Sequence, residues 1–174
     1  LPEGETRSWF GPRCHALATL LTGNWLLSKR RAATLMRVFL GLGLSPSTVS
    51  AMERRMAEAL AAPVAAAHDH VKRADVAHAD ETSWREAKNR AWLWVAATSR
   101  VVVFLIQRRR NAEAAKVLLG EDSAGHLCTD RHGAYHWVAN RGLCWAHLLR
   151  DFQAIAERYG SEWHGARLVS AGQR

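Results

Sequence analysis

The sequence predicts an α/β protein in which a mixed sheet carries the chemistry and a helical segment precedes it. Three observations point there. Residues 76–107 read as three strands in succession, VAHAD, RAWLWVAAT and VVVFLIQ, rich in β-branched and aromatic residues. A helical stretch and a further short strand follow, and that strand runs into an acidic residue, as the first one does. Before residue 75 the apolar residues recur at helical spacing instead. The expected division is a helical lead-in over residues 1–74 and a sheet domain over residues 75–174.

In the lead-in, residues 10–27 are expected to be helical, with Leu17, Leu20, Leu21 and Trp25 near one face. A second helix carries its apolar period through Leu35, Val38, Phe39 and Leu42. Gly41 and Gly43 can end it, Ser45 can cap the next helix, and Pro46 suits that helix's first position, where its missing N–H costs nothing. Val49, Met52, Met56 and Leu60 then form a stripe. Helix, glycine-bearing turn and capped helix make a helix-turn-helix-like segment that would present Ser47, Thr48, Ser50 and Arg54 to a groove. An ordinary helical hairpin has the same signature. Pro63 is expected to start or kink a helix ending near Lys72 and Arg73. His68 and His70 face different sides of it, are read as exposed, and do not share a metal.

In the sheet domain, Ser99 and Arg100 form the turn between the second and third strands. Asn111 caps a helix that buries Ala115, Leu118 and Leu119 and stops at Gly120. His126 to Thr129 is a strand closed by Asp130, and Gly133 lets the chain turn before Tyr135, Trp137 and Val138. A fifth strand, Gly142 to Trp145, enters a helix bearing Leu148, Phe152, Ile155 and Tyr159, and beyond Gly160 no pattern is clear. Strand, strand, strand, helix, strand is the order of ribonuclease H-like folds, whose first and fourth strands lie side by side. Asp80 and Asp130 would then face one another, whereas a lone strand-ending Asp reads as an Asx turn.

The chain has 174 residues, 48% of them hydrophobic, which excludes a disordered tail. Five of its eight tryptophans (Trp84, Trp92, Trp94, Trp137, Trp145) fall between Asp80 and the last helix, implying a core or a stacking surface. The net charge is +8 and the sequence pI about 10.2. Residues 1–75 carry ten Lys/Arg against six Asp/Glu, and residues 76–174 carry fourteen against ten. The excess is therefore spread, and a polyanion such as DNA is the expected partner. Arg30, Arg31, Arg54, Arg55, Arg108, Arg109 and Arg110 are the expected phosphate contacts. Cys14, Cys128 and Cys144 are odd in number and widely spaced, which fits reduced thiols in the cytoplasm. No run approaches 18 apolar residues, so no membrane partner is expected.

HADETSW, TDRHGAY and LCWAHLLRDF, in that order, resemble the central domain of the insertion-sequence-66 family of bacterial transposases. FGPRCHALATLL and GLGLSPSTVS resemble its helical lead-in, and the likeness covers residues 9–160. It implies a ribonuclease H-like catalytic domain of the DDE type. In such domains two aspartates and a glutamate hold two Mg²⁺ or Mn²⁺ ions for phosphodiester cleavage and strand transfer. Residue by residue, Asp80 is the first acid and Asp130 the second, both catalytic and metal-binding. Thr82, Trp84 and Tyr135 belong to the motifs without assigned chemistry.

The family's glutamate lies well downstream, and neither Glu157 nor Glu162 matches its position. A fragment of a longer frame is expected, since the chain also opens on Leu1 rather than Met, and its incomplete fold would favour self-association. Cys144 and His147 invite a zinc reading, with Cys128 as a third partner, but the favoured reading has His147 capping or contacting the site. Two alternatives stay open. One is a catalytically inactive DNA-binding remnant, and the other a nuclease using Glu81 beside Asp80.

Overall fold

The structure, a computed structural model, describes residues 10–173, so the first nine residues of the expected lead-in lie outside the described residues. The chain divides into two compact units, residues 1–64 and 65–174. The division falls inside one long helix.

The helical unit contains α1 (Pro12–Thr19), a π-helical turn (Leu20–Asn24), α2 (Lys29–Leu40) and the first part of α3 (Pro46–Lys72). Ser28 caps α2 by accepting from the Arg31 amide at 3.3 Å, and Gly41, at φ 68°, ends it. Ser45 then accepts from the Thr48 amide at 3.0 Å and opens α3 at Pro46. Ala18, Leu21, Ala32, Ala33, Met36, Val49 and Met52 form the core. Val38 and Phe39, expected on the apolar face of α2, are 68% and 75% exposed. The small Ala32 and Ala33 turn inward with Met36 instead, so the buried stripe is rotated away from the larger residues. Pro63 does not start a helix but lies within α3, which ends at Lys72 as expected.

The sheet unit runs β1 (Val76–Glu86), β2 (Asn89–Ala97), β3 (Val102–Gln107), α4 (Ala112–Leu119), β4 (His126–Thr129), a 3₁₀ turn (Gly133–Tyr135), β5 (Arg141–Leu143), α5 (Trp145–Ala156) and α6 (Glu162–Gly172). The strands lie in the order β3-β2-β1-β4-β5. β1, β2 and β3 pair antiparallel, and β4 joins β1 and β5 in parallel, the mixed sheet expected from the order of elements. Asn111 caps α4 through the Ala114 amide, and Gly120 ends it. One sheet face carries the core, in which Ala77, Ala79, Trp94 and Ala96 pack against Ala115, Leu118 and Leu119 of α4. On the other face Val102 and Phe104 of the edge strand stay 54% and 64% exposed.

Three expectations need correction. β1 does not end at Asp80 but continues to Glu86, because β2 pairs with it from His78 to Glu86, Asp80 opposite Val95 and Glu86 opposite Asn89. His68 and His70 are half-buried rather than exposed, and the His68 ring nitrogen Nε2 lies 2.8 Å from the Leu118 carbonyl. The stretch past Gly160 is helical. A Cβ on Gly165 would lie 2.1 Å from the Ala156 backbone nitrogen, so a glycine is what lets α6 cross α5 this closely.

Candidate metal centre

Two close approaches of backbone set the centre. At Gly125 an added Cβ would come within 2.1 Å of the Ala74 carbonyl oxygen, and the next amide, His126, donates to Asp75 at 2.7 Å. That contact fixes the start of β4 against β1, with Val76 opposite His126, Ala77 opposite Leu127 and His78 opposite Cys128. Carried two residues on, the same register brings Asp80 level with Asp130. Side chains alternate along β1: Ala77, Ala79 and Glu81 are buried, while Val76, His78 and Asp80 are exposed.

The second approach is at the end of β4, where the Cys144 amide donates to the Thr129 carbonyl at 2.6 Å. This ties the start of α5 to the residue just before Asp130, and Cys144 serves as the helix's N-cap residue. His147 falls in the first turn, its amide bonded to the Cys144 carbonyl at 3.1 Å. Asp80, Asp130 and His147 thereby come together, each offering a ligand atom within 4.8 Å of the others. Asp80 is exposed, and the other two are half-buried. The Nδ1 of His147 is buried and has no hydrogen-bond partner. Contact with the His147 side chain and with α5 amides holds the Cys144 thiol below its ordinary pKa, while burial and neighbouring Cys144 raise that of Cys128.

Beneath the centre lies a buried polar network. The Glu81 side chain is fully buried and accepts from Arg110 Nε at 2.7 Å and from the Tyr135 hydroxyl. Arg110 Nη2 reaches Asp130 Oδ2 at 3.6 Å, and its guanidinium lies 4.9 Å over the Trp92 ring. The other Asp130 oxygen accepts from the His132 amide at 2.8 Å. Burial, the hydrogen bond to Glu81 and the charges of Glu81, Asp130 and Asp80 together push the Tyr135 phenol far above its ordinary pKa. Glu81, weighed as an acid beside Asp80, is not in the ligand group. Strand alternation alone could have said so.

Of the arginines expected to meet phosphate, Arg30, Arg31, Arg54 and Arg55 are exposed in the helical unit, and Arg108 and Arg109 are exposed after β3. Arg108 lies 3.6 Å from Glu86, and Arg55 has His15 at 3.4 Å. Arg110 differs from all of these because its guanidinium is engaged with Glu81 and Asp130. The hydroxyls of Ser47 and Thr48 are turned to Ser45 at 2.7 and 2.8 Å, and that of Ser50 to the Pro46 carbonyl.

Compared with known families, residues 7–170 match the Transposase IS66 family. The chain belongs to that family. The match spans the ribonuclease H-like sheet, both aspartates and the block from Cys144 to His147, and it makes transposition the general role. No curated protein and no solved structure matches. IS66 transposases, as DDE enzymes, use divalent metal and bind DNA, and this chain's donor set fits such an ion. Two carboxylates are what hard divalent cations take. A spread of at most 4.8 Å is close to the roughly 4 Å that separates opposite ligands of a single octahedral ion. Among the described residues no third carboxylate joins the group, and no helix is long and apolar enough to cross a membrane.

Proposed function

We propose that this chain carries the DNA-processing centre of its transposase, with Asp80 and Asp130 holding Mg²⁺ or Mn²⁺. The observation that supports this most is the convergence of the two carboxylates from adjacent parallel strands. When bound, such ions activate a water or a 3′-hydroxyl for in-line attack on a phosphodiester and stabilise the departing oxygen. In that displacement one phosphorus–oxygen bond would form as another breaks, the attacking group's proton passing to solvent and the departing oxygen taking one up.

The chain's own residues prepare the place. The His132 amide and Arg110 fix the two oxygens of Asp130, while Asp80 stays open to solvent and to substrate. Arg108 and Arg109, exposed after β3, are suited to grip the phosphate backbone. The exposed edge residues Val102 and Phe104 support self-association.

The lack of a third carboxylate among the described residues favours a second reading, a DNA-binding form without catalysis. Titration with Mn²⁺, followed by electron paramagnetic resonance, tests the first reading, together with nicking of supercoiled plasmid. Asp80→Asn and Asp130→Asn should each abolish Mn²⁺ binding. Nicking lost in the same variants would establish the catalytic form, and binding without nicking the inactive one. Mn²⁺ binding indifferent to both substitutions would sink the metal-centre proposal.

A further inference from the structure

We propose that His147 is the third protein ligand of this centre, which makes it a two-carboxylate, one-imidazole site with a preference for Mn²⁺ over Mg²⁺. The inference rests on the reading that Asp80 and Asp130 hold a divalent ion, and it extends that reading to a residue type outside the acid set of a DDE centre. Three observations support it. A His147 ring nitrogen and the two carboxylates are mutually within 4.8 Å. The Nδ1 of the same ring is buried without a hydrogen-bond partner, and the ring's side chain also lies against the Cys144 thiol. The ring's placement is also not left to a loose side chain. The bond from Cys144 to Thr129 fixes the start of α5 against the last residue of β4, and Asp130 is the next residue along.

The chemistry points to a cation. Carboxylate oxygens only accept, and a neutral imidazole offers one nitrogen lone pair beside its single N–H. Grouped within 4.8 Å, these atoms place several lone pairs around one point. Arg110 pairs with Asp130 and with buried Glu81. Its guanidinium is held there by Glu81 and by stacking on Trp92, so it neutralises Asp130 in part and leaves the Asp80 carboxylate without an ion pair among the described residues. Softness then sorts the metals. Mg²⁺ prefers an all-oxygen, largely hydrated shell, whereas imidazole nitrogen is a better ligand for later first-row ions. Cys144 and Cys128 are not in the ligand group, which argues against a thiolate-rich zinc site.

Electron spin-echo measurements on Mn²⁺ bound to the full chain test the inference directly, because a coordinated imidazole nitrogen modulates the echo. The wild type should show this ¹⁴N coupling. His147→Ala and His147→Gln should both lose it, weaken Mn²⁺ binding by about tenfold or more, and change Mg²⁺ affinity far less. Far-UV circular dichroism of both variants separates ligand loss from unfolding, and Cys144→Ser, which keeps the imidazole, should retain the coupling. Mn²⁺ that still depends on Asp80 and Asp130 but shows no ¹⁴N coupling would overturn the role of His147 and leave the carboxylate reading standing. Mn²⁺ binding that ignores Asp80 and Asp130 would remove both.

Discussion

A strand turns each successive side chain to the opposite face, so Asp80 and Glu81 leave β1 in opposite directions despite being neighbours. Asp80 goes to solvent at the candidate centre, and Glu81 goes into the core. Its burial is tolerable because Arg110 and the Tyr135 hydroxyl both donate to it. Removing one donor leaves a buried carboxylate short of a partner, which typically costs about 1–3 kcal/mol. Tyr135→Phe should therefore lower stability by roughly that amount, measured as a shift of the urea midpoint. The phenol also gives the effect a pH signature. Its folded pKa lies above the ordinary value of 10.0, so the native state keeps a proton that the unfolded chain surrenders. This contribution is full below about pH 10 and is lost as the pH rises beyond it. Wild type should lose stability above pH 10 more steeply than Tyr135→Phe. Parallel alkaline curves would show that Tyr135 ionises as freely in the folded state as in the unfolded one.

At the scale of elements, the hairpin between β1 and β2 carries a local cost. Ala87, the first residue of its two-residue loop, sits at φ 54°, in the left-handed region that disfavours any side chain by about 1–2 kcal/mol. Glycine there removes that cost but adds roughly 0.4–1 kcal/mol of unfolded-state entropy. Ala87→Gly should thus stabilise the chain by about 0.5–1 kcal/mol and raise Tm by roughly 2 °C. A fall in Tm would mean that the loop does not use this conformation. The same elements show what the sequence could and could not reveal. The β1-to-β4 sequence pattern was legible because apolar β-branched runs, the Asn111 cap and the Gly120 stop are local signals. The length of β1 was not, since TSWRE is polar and becomes strand only by pairing with β2. α6 was illegible for another reason: its packing depends on Gly165 lying against Ala156, a contact between residues that mean nothing singly. Asp80 and Asp130 could be paired from chain order alone. His147 was expected to cap or contact the site, and the bond from Cys144 to Thr129 is what sets its place there.

Over the whole molecule, a charge of +8 shared by the helical and sheet segments favours DNA binding without sequence preference. The exposed Arg30, Arg31, Arg54, Arg55, Arg108 and Arg109 are the candidates to contact phosphate. If all six do so, the logarithm of the binding constant should fall with that of salt at a slope of roughly −5, an affinity loss on the order of 10³ between 50 and 200 mM. Replacing any one of them by Ala should weaken binding to all sequences alike and reduce the slope by about one. Arg110→Ala should behave otherwise. Its guanidinium is committed to Glu81 and Asp130, so its loss strands a buried carboxylate, at a cost of about 3–5 kcal/mol, and removes no phosphate contact. In fluorescence anisotropy with a labelled duplex, folded Arg110→Ala should therefore keep the wild-type slope while its urea midpoint drops. An equal loss of slope for Arg110→Ala and Arg109→Ala would place Arg110 on the DNA and dissolve the distinction between the structural arginine and the binding ones. Affinity unchanged from 50 to 200 mM salt would remove the electrostatic interface as a whole.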